Sequence, residues 1–277
     1  MTLGKWGMTW TIPPVSSEKV HGTAYSLTGP PDAPVVVFIH GLGLCRHVFD
    51  ALLPAFKDYR VLTYDLYGHG GSDPLAETAS LKTFAGQLVD LCDNLGLRGL
   101  HVVGFSVGGM INRRLALDHG EYVSSLVILN SPHDRGSAAQ AMVEKRAQLA
   151  RNQGAFSTFD AALTRWFTPQ YLDTGSGPAR VREWRAQADA DSYAQTAWVL
   201  AHGVRELTGR EGEITAPTLV MTCENDIGST PAMSHDIAAE IPGAETIIVP
   251  QLQHLGLMEN PDAFATAILK FLEKHAT

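Results

Sequence analysis

Short apolar runs alternate with amphipathic stretches along most of this 277-residue chain. Residues 34–39, 99–103, 125–129, 216–222 and 245–250 are apolar, rich in β-branched side chains and short, which predicts buried strands. Helical periodicity runs over 110–117, with His119-Gly120 as a stop, and again over 261–274. Strands and helices in alternation predict a mainly parallel sheet with helices on both faces. The first strands, around 9–12 and 19–27, are expected to pair as an antiparallel hairpin at the sheet edge. The alternation breaks between 134 and 212, where helical patterns cover 138–152, 157–167, 178–188 and 192–206. Gly154, Pro169 and Gly175-Ser176-Gly177 break them, and no strand pattern appears. This predicts a core made of residues 1–133 and 213–277, with a helical cap, 134–212, inserted after the sixth strand. The cap's aromatic residues, Phe156, Phe159, Trp166, Phe167, Tyr171, Trp184, Tyr193 and Trp198, are expected mostly to pack its own core.

One junction carries chemistry. The run 99–103 ends in Gly104-Phe105-Ser106-Val107-Gly108, and helical periodicity follows. A strand that turns sharply into a helix strains the turn residue and presents its side chain. Its neighbours two positions away must be small, because strand and helix crowd together there. Gly104, Gly108 and Gly109 meet that demand, so Ser106 is the candidate nucleophile.

A serine hydroxyl needs a base, and the base needs an orienting acid. For a nucleophile on this kind of turn, acid and then base follow later in the chain. The run 216–222 leads into Cys223-Glu224-Asn225-Asp226, and the run 245–250 into Gln251-Leu252-Gln253-His254. Asp226 is therefore the candidate acid and His254 the candidate base. Glu224, and Asp134 after the preceding strand, are rival carboxylates. Oxyanion donors are expected from the N–H of Val107 and of Leu42, the latter in His40-Gly41-Leu42-Gly43 after the run 34–39. His40 reads as the organiser of that loop.

These pieces resemble the α/β-hydrolase superfamily over nearly the whole chain. They are His40-Gly41-Leu42-Gly43, the stretch Tyr64-Asp65-Leu66-Tyr67-Gly68-His69-Gly70-Gly71-Ser72-Asp73, the serine turn, Asp226 with Pro231, and His254 with Leu255-Gly256 and Glu259-Asn260-Pro261. The resemblance implies an α/β-hydrolase fold in which residues 65–73 buttress the site without doing chemistry. It also implies cleavage of a small carboxylic ester or lactone through an acyl-enzyme. The serine turn and residues 241–245 and 259–264 are most similar to 3-oxoadipate enol-lactonases and their esterase relatives. Cys223 and Gln253 stand where those relatives usually carry glycine. Carbon–carbon bond hydrolases of the meta-cleavage type are an alternative, but they typically carry Asn before the serine and Trp after the histidine; here Phe105 and Leu255 occupy those positions. Haloalkane dehalogenases and epoxide hydrolases use an Asp nucleophile, against Ser106 here. A small-molecule receptor on the same fold is a second alternative.

Composition bounds the rest. Hydrophobic residues make up 45% of the chain, and no repeat or bilayer-length apolar run interrupts it. The start lacks the charged-then-apolar order of a secretory signal, and three scattered cysteines read as free thiols, so a cytoplasmic protein is expected. A net charge of −8 argues against a nucleic-acid partner. Residues 134–212 carry ten basic and nine acidic side chains, so the negative charge lies elsewhere. Arg135 or Arg165 is a candidate clamp for a substrate carboxylate. No helix-spaced histidine pair with a carboxylate appears, so no metal or organic cofactor is expected, and the expected partner is a small ester or lactone. The sequence leaves oligomeric state open.

Overall fold

The computed structural model describes residues 18–275. Its strands are β1 (Glu18–Val20), β2 (Thr23–Thr28), β3 (Val35–Ile39), β4 (Arg60–Tyr64), β5 (Leu100–Phe105), β6 (Val123–Leu129), β7 (Thr218–Cys223) and β8 (Glu245–Val249). They form one sheet in the order β1-β2-β4-β3-β5-β6-β7-β8. Pairing is antiparallel from β1 to β2 and from β2 to β4, and parallel from β4 onward.

The expected edge hairpin is drawn differently from the sequence reading. Residues 19–27 are not one strand; they fold back on themselves at His21-Gly22, both at positive φ (47° and 79°). Two successive residues of that hand match the twist of a two-residue hairpin. The expected strand at 9–12 lies outside the described residues.

The helices of the core are α1 (Leu81–Leu95), α2 (Val107–Asp118), α8 (Pro231–Glu240), α9 (Gly256–Glu259) and α10 (Pro261–Lys274). Between β6 and β7 lie α3 (Gly136–Gln153), α4 (Phe159–Trp166), α5 (Pro169–Thr174), α6 (Gly177–Gln187) and α7 (Ala190–His202), with no strand among them. The short α5 was not expected, because Pro169 reads as a break. In the structure Pro169 is the first helical residue, where its missing N–H costs nothing, and Thr168 caps the helix by accepting from Tyr171 N.

Both faces of the sheet's centre are covered, and this is why β3 and β5 are buried along their whole length. Val35, Val37 and Ile39 of β3 pack with Leu81, Phe84 and Leu88 of α1, whereas Val36 and Phe38 pack with Phe264 and Ile268 of α10. β5 divides in the same way, Leu100 and Val102 to one cluster and Val103 and Phe105 to the other. Among the described residues no helix is long and apolar enough to cross a membrane.

Of the aromatics between β6 and β7, Phe159, Phe167, Trp184 and Tyr193 are buried. Phe156 and Trp198 are instead 43% exposed each.

Candidate functional site

Ser106 lies between the last residue of β5 and the first of α2, with φ 57° and ψ −115°. A non-glycine residue there is strained by about 1–3 kcal/mol and persists only where its surroundings fix it. Here they do. Ser106 N donates to the Leu129 carbonyl at 2.8 Å, and Gly109 N returns a bond to the Ser106 carbonyl at 3.0 Å. The crowding is backbone against backbone: a Cβ on Gly104 would lie 2.2 Å from the Gly108 carbonyl oxygen, and one on Gly108 would lie 2.3 Å from that of Ile39.

The loop after β3 runs against the serine. A Cβ on Gly41 would lie 3.1 Å from the Phe105 ring and 3.2 Å from Ser106 Cβ, so a side chain there would push one of them back. His40 fixes the loop by both ring nitrogens. Nδ1 donates to the Gly41 carbonyl at 2.8 Å, and Nε2 accepts from Leu66 N at 2.9 Å. Among the described residues, the N–H groups of Leu42 and Val107 donate to no protein acceptor, and both residues lie beside Ser106.

The stretch after β4 holds this loop from behind. Asp65 accepts from Arg46 N at 2.7 Å and from Gly71 N at 2.8 Å, and pairs with the Arg46 guanidinium. Ser72 Oγ donates to the Asp65 carbonyl at 2.6 Å and accepts from Ala24 N at 2.9 Å. The network is tied to structure on several sides, and Arg46 Nε is buried without a partner.

Asp226 and His254 leave the ends of β7 and β8 and meet. His254 Nδ1 donates to Asp226 Oδ2 at 2.6 Å. Asn130 Nδ2 donates to the same oxygen at 2.9 Å, while Oδ1 accepts from Gly228 N at 2.9 Å and Ser229 N at 3.0 Å. Burial alone would raise the Asp226 pKa. The charge and hydrogen bond of His254, with the bonds from Asn130 and Ser229, outweigh it and hold the carboxyl below its ordinary value. Asp226 is thus an ionised, fully satisfied acceptor that fixes the proton of His254 on Nδ1 and leaves Nε2 to accept.

Ser106, Asp226 and His254 line one cavity with Gly41 and Leu42. Ser106 Oγ is not hydrogen-bonded to His254 in this structure; a catalytic contact of this kind often tightens only with substrate present. The His254 ring packs against Phe105, 5.0 Å between centroids, and against Trp166 of α4 at 6.3 Å. Leu255 N donates to the Trp166 carbonyl at 2.8 Å, so the helical segment is tied to the loop bearing His254.

The rival carboxylates go elsewhere. Glu224 is exposed and accepts from Gln251 N at 2.8 Å, and Asp134 is exposed and accepts from Gly136 N at 2.9 Å. The three cysteines are buried and free. Burial pushes the thiols of Cys92 and Cys223 up to about 12 and that of Cys45 higher, so none is a ready nucleophile.

Asn130 escaped the sequence reading. It follows β6 at φ 46°, a left-handed conformation that asparagine tolerates better than most residues, and this aims its amide at Asp226. The available signal was an asparagine directly after an apolar strand.

Burial also sets a pH limit. It depresses His40 to about 4 and His69 to about 3, with lesser help for His69 from His40. The unfolded chain takes up these protons near 6.5, the folded chain only well below. Stability is therefore complete above that value and falls as pH drops from about 6.5 toward 4. Each histidine accounts for about 2 kcal/mol by pH 5. The melting temperature should drop by several degrees between pH 7 and pH 5; an unchanged or higher value would show that neither ring is held neutral.

Comparison with known proteins agrees with this architecture. A family model described as the alpha/beta hydrolase fold matches residues 34–261. A 3-oxoadipate enol-lactonase of Acinetobacter baylyi is 28% identical over 88% of this chain and 90% of its own length. An (E)-2-((N-methylformamido)methylene)succinate hydrolase of the same organism is 26% identical over 86% and 90%. The crystal structure of the enol-lactonase from Burkholderia xenovorans superposes with a TM-score of 0.83, at 28% identity, over 92% of this chain and 98% of that one.

Proposed function

This chain belongs to the α/β-hydrolase fold family, and we propose that it is a serine hydrolase cleaving a small carboxylic ester or lactone. The observation that carries the proposal is the 2.6 Å Asp226–His254 pair opening onto the same cavity as the strained Ser106. Relatives named as an enol-lactonase and as a succinate-derivative hydrolase support the substrate class.

Ser106 Oγ attacks the carbonyl carbon as its proton passes to His254 Nε2. The oxyanion so formed is held by the N–H groups of Leu42 and Val107, an effect of about 3 kcal/mol per donor at comparable sites. Collapse breaks the carbon–oxygen bond, and His254 returns the proton to the leaving alkoxide. Water then gives a proton to His254 as it attacks the acyl-enzyme, and the acid departs from regenerated Ser106. Asp226 keeps the imidazole in the right tautomer and offsets its transient charge. The helices between residues 134 and 212 act as the cap that shapes the acyl and leaving-group pockets.

The test is a short series of esters and lactones, with an enol-lactone and a meta-cleavage dienone included, given to wild type and Ser106→Ala. Turnover of an ester or lactone that vanishes in the variant is the expected result. Turnover of the dienone alone would replace ester chemistry by carbon–carbon cleavage, and tight binding without turnover would make the protein a receptor.

A further inference from the structure

Four arginines, Arg135, Arg146, Arg165 and Arg185, line the cavity over Ser106. Among the described residues none of them has a carboxylate partner. Arg135 reaches Gln140 Oε1 at 3.4 Å and the Leu200 carbonyl at 3.0 Å, and Arg165 the Ala161 carbonyl at 3.0 Å. Arg185 is 2% exposed, has one long bond to the Ala155 carbonyl at 3.4 Å, and its Nε has no partner at all. Its guanidinium instead lies over the rings of Phe159, Trp166 and Tyr193, 4.8 to 5.2 Å from their centroids.

Four other arginines of the same segment are paired, Arg180 with Asp50, Arg182 with Asp160, Arg205 with Glu144 and Arg210 with Glu213, and Arg151 is exposed at the surface. A segment nearly neutral in composition thus places four positive charges without carboxylate partners on the cavity wall. The one carboxylate there, Asp226, has both oxygens engaged by His254, Asn130, Gly228 and Ser229. Burial pushes all four guanidinium pKa values down, Arg135 to about 10; a neighbouring arginine adds to this at Arg135, Arg146 and Arg185, while Asp226 works against it at Arg165. The groups remain charged at neutral pH. Arg185 is buried and the other three are half-buried; without carboxylate partners they cost stability that the ring contacts of Arg185 offset only in part.

We infer that the substrate is a dianion: an ester or lactone bearing two carboxylate groups besides the scissile carbonyl, one gripped by Arg185 and the second by Arg135 and Arg146. This rests on the reading of Ser106 as nucleophile. Arg185 lies at the loop that carries Leu42, because a Cβ on Gly43 would sit 2.9 Å from its Nε. A carboxylate on Arg185 therefore lies close to the scissile carbonyl. Arg135 at the start of α3 and Arg146 three turns on share one face of that helix, the charge of Arg146 acts on Arg135, and both stand on a different helix from Arg185. A phosphate concentrates its charge in one head and calls for converging donors. Donors spread over three helices suit two separate, singly charged heads, and guanidinium forks match carboxylates bidentately.

Two arms test this, one of them independent of turnover. Calorimetric titration of Ser106→Ala with succinate, glutarate and adipate should show at least one dicarboxylate binding about tenfold or more tighter than butyrate. Arg185→Gln in the same background should lose that margin, with its melting temperature measured to exclude misfolding. Equal binding of dicarboxylate and butyrate, or inorganic phosphate binding more tightly than any dicarboxylate, would overturn the inference. In the second arm, wild type should cleave an ester carrying two free carboxylates with kcat/KM about 100-fold above that of its dimethylated counterpart. Equal values would sink the dianion while leaving the serine hydrolase in place. If no ester is cleaved, the serine hydrolase reading fails, and the binding arm alone decides the inference.

Discussion

Ser106→Ala should lower ester or lactone turnover by roughly 10⁶-fold, the scale seen when a nucleophile that works as a unit with its base is removed. The variant should still fold, since Ser106 Oγ makes no hydrogen bond among the described residues and its backbone bonds to Leu129 and Gly109 remain. Ser106→Gly should be equally inactive yet more stable than Ser106→Ala. Alanine keeps a Cβ at φ 57°, a strain of about 1–3 kcal/mol, whereas glycine relieves it and loses only about 0.4–1 kcal/mol to the freer unfolded chain. Denaturant titration of the two variants measures the difference. A Ser106→Ala rate within a hundredfold of wild type would place the nucleophile elsewhere.

Asp226→Asn should cost about 10⁴-fold in kcat and leave the fold intact. The hydrogen bonds fix the reason. The one oxygen of the new amide stays with the N–H groups of Gly228 and Ser229, which turns its NH₂ toward Asn130 and His254. Asn130 can answer by flipping, because its Oδ1 has no partner and can accept. His254 can answer only by moving its proton from Nδ1 to Nε2, which leaves no lone pair to take the proton from Ser106. Near-wild-type rates in this variant would transfer the acid's role to Glu224 or Asp134, although both point away from the cavity.

Much of this was legible in the chain because the chemistry stands at strand ends. A parallel strand buried on both faces must be apolar, so its limits show, and Ser106, Asp226 and His254 lie one, three and five residues past the ends of β5, β7 and β8. What stayed hidden depends on conformation or on facing. Asn130 matters through a left-handed backbone that no periodicity announces. Pro169 reads as a breaker until Thr168 is seen capping the helix it begins. The arginines were harder still. Arg135 and Arg165 could be named as candidates, but Arg146 and Arg185 belong to helices with polar residues all round. Which side faces inward is decided there by packing across α3, α6 and α7, not by a stripe in the sequence.

β6 and β7 are hydrogen-bonded neighbours, Leu129 beside Met221, although all five helices from α3 to α7 intervene. The insertion thus leaves and re-enters the sheet through one narrow gate. The entropy of closing such a loop grows only as the logarithm of its length, about 0.6 kcal/mol for each doubling. Lengthening, shortening or exchanging the whole segment therefore leaves the ends of the serine, aspartate and histidine strands where they are. On the proposed reading, the helices that would select the substrate are free to diverge, while the strand ends that would carry the chemistry are held still by the sheet.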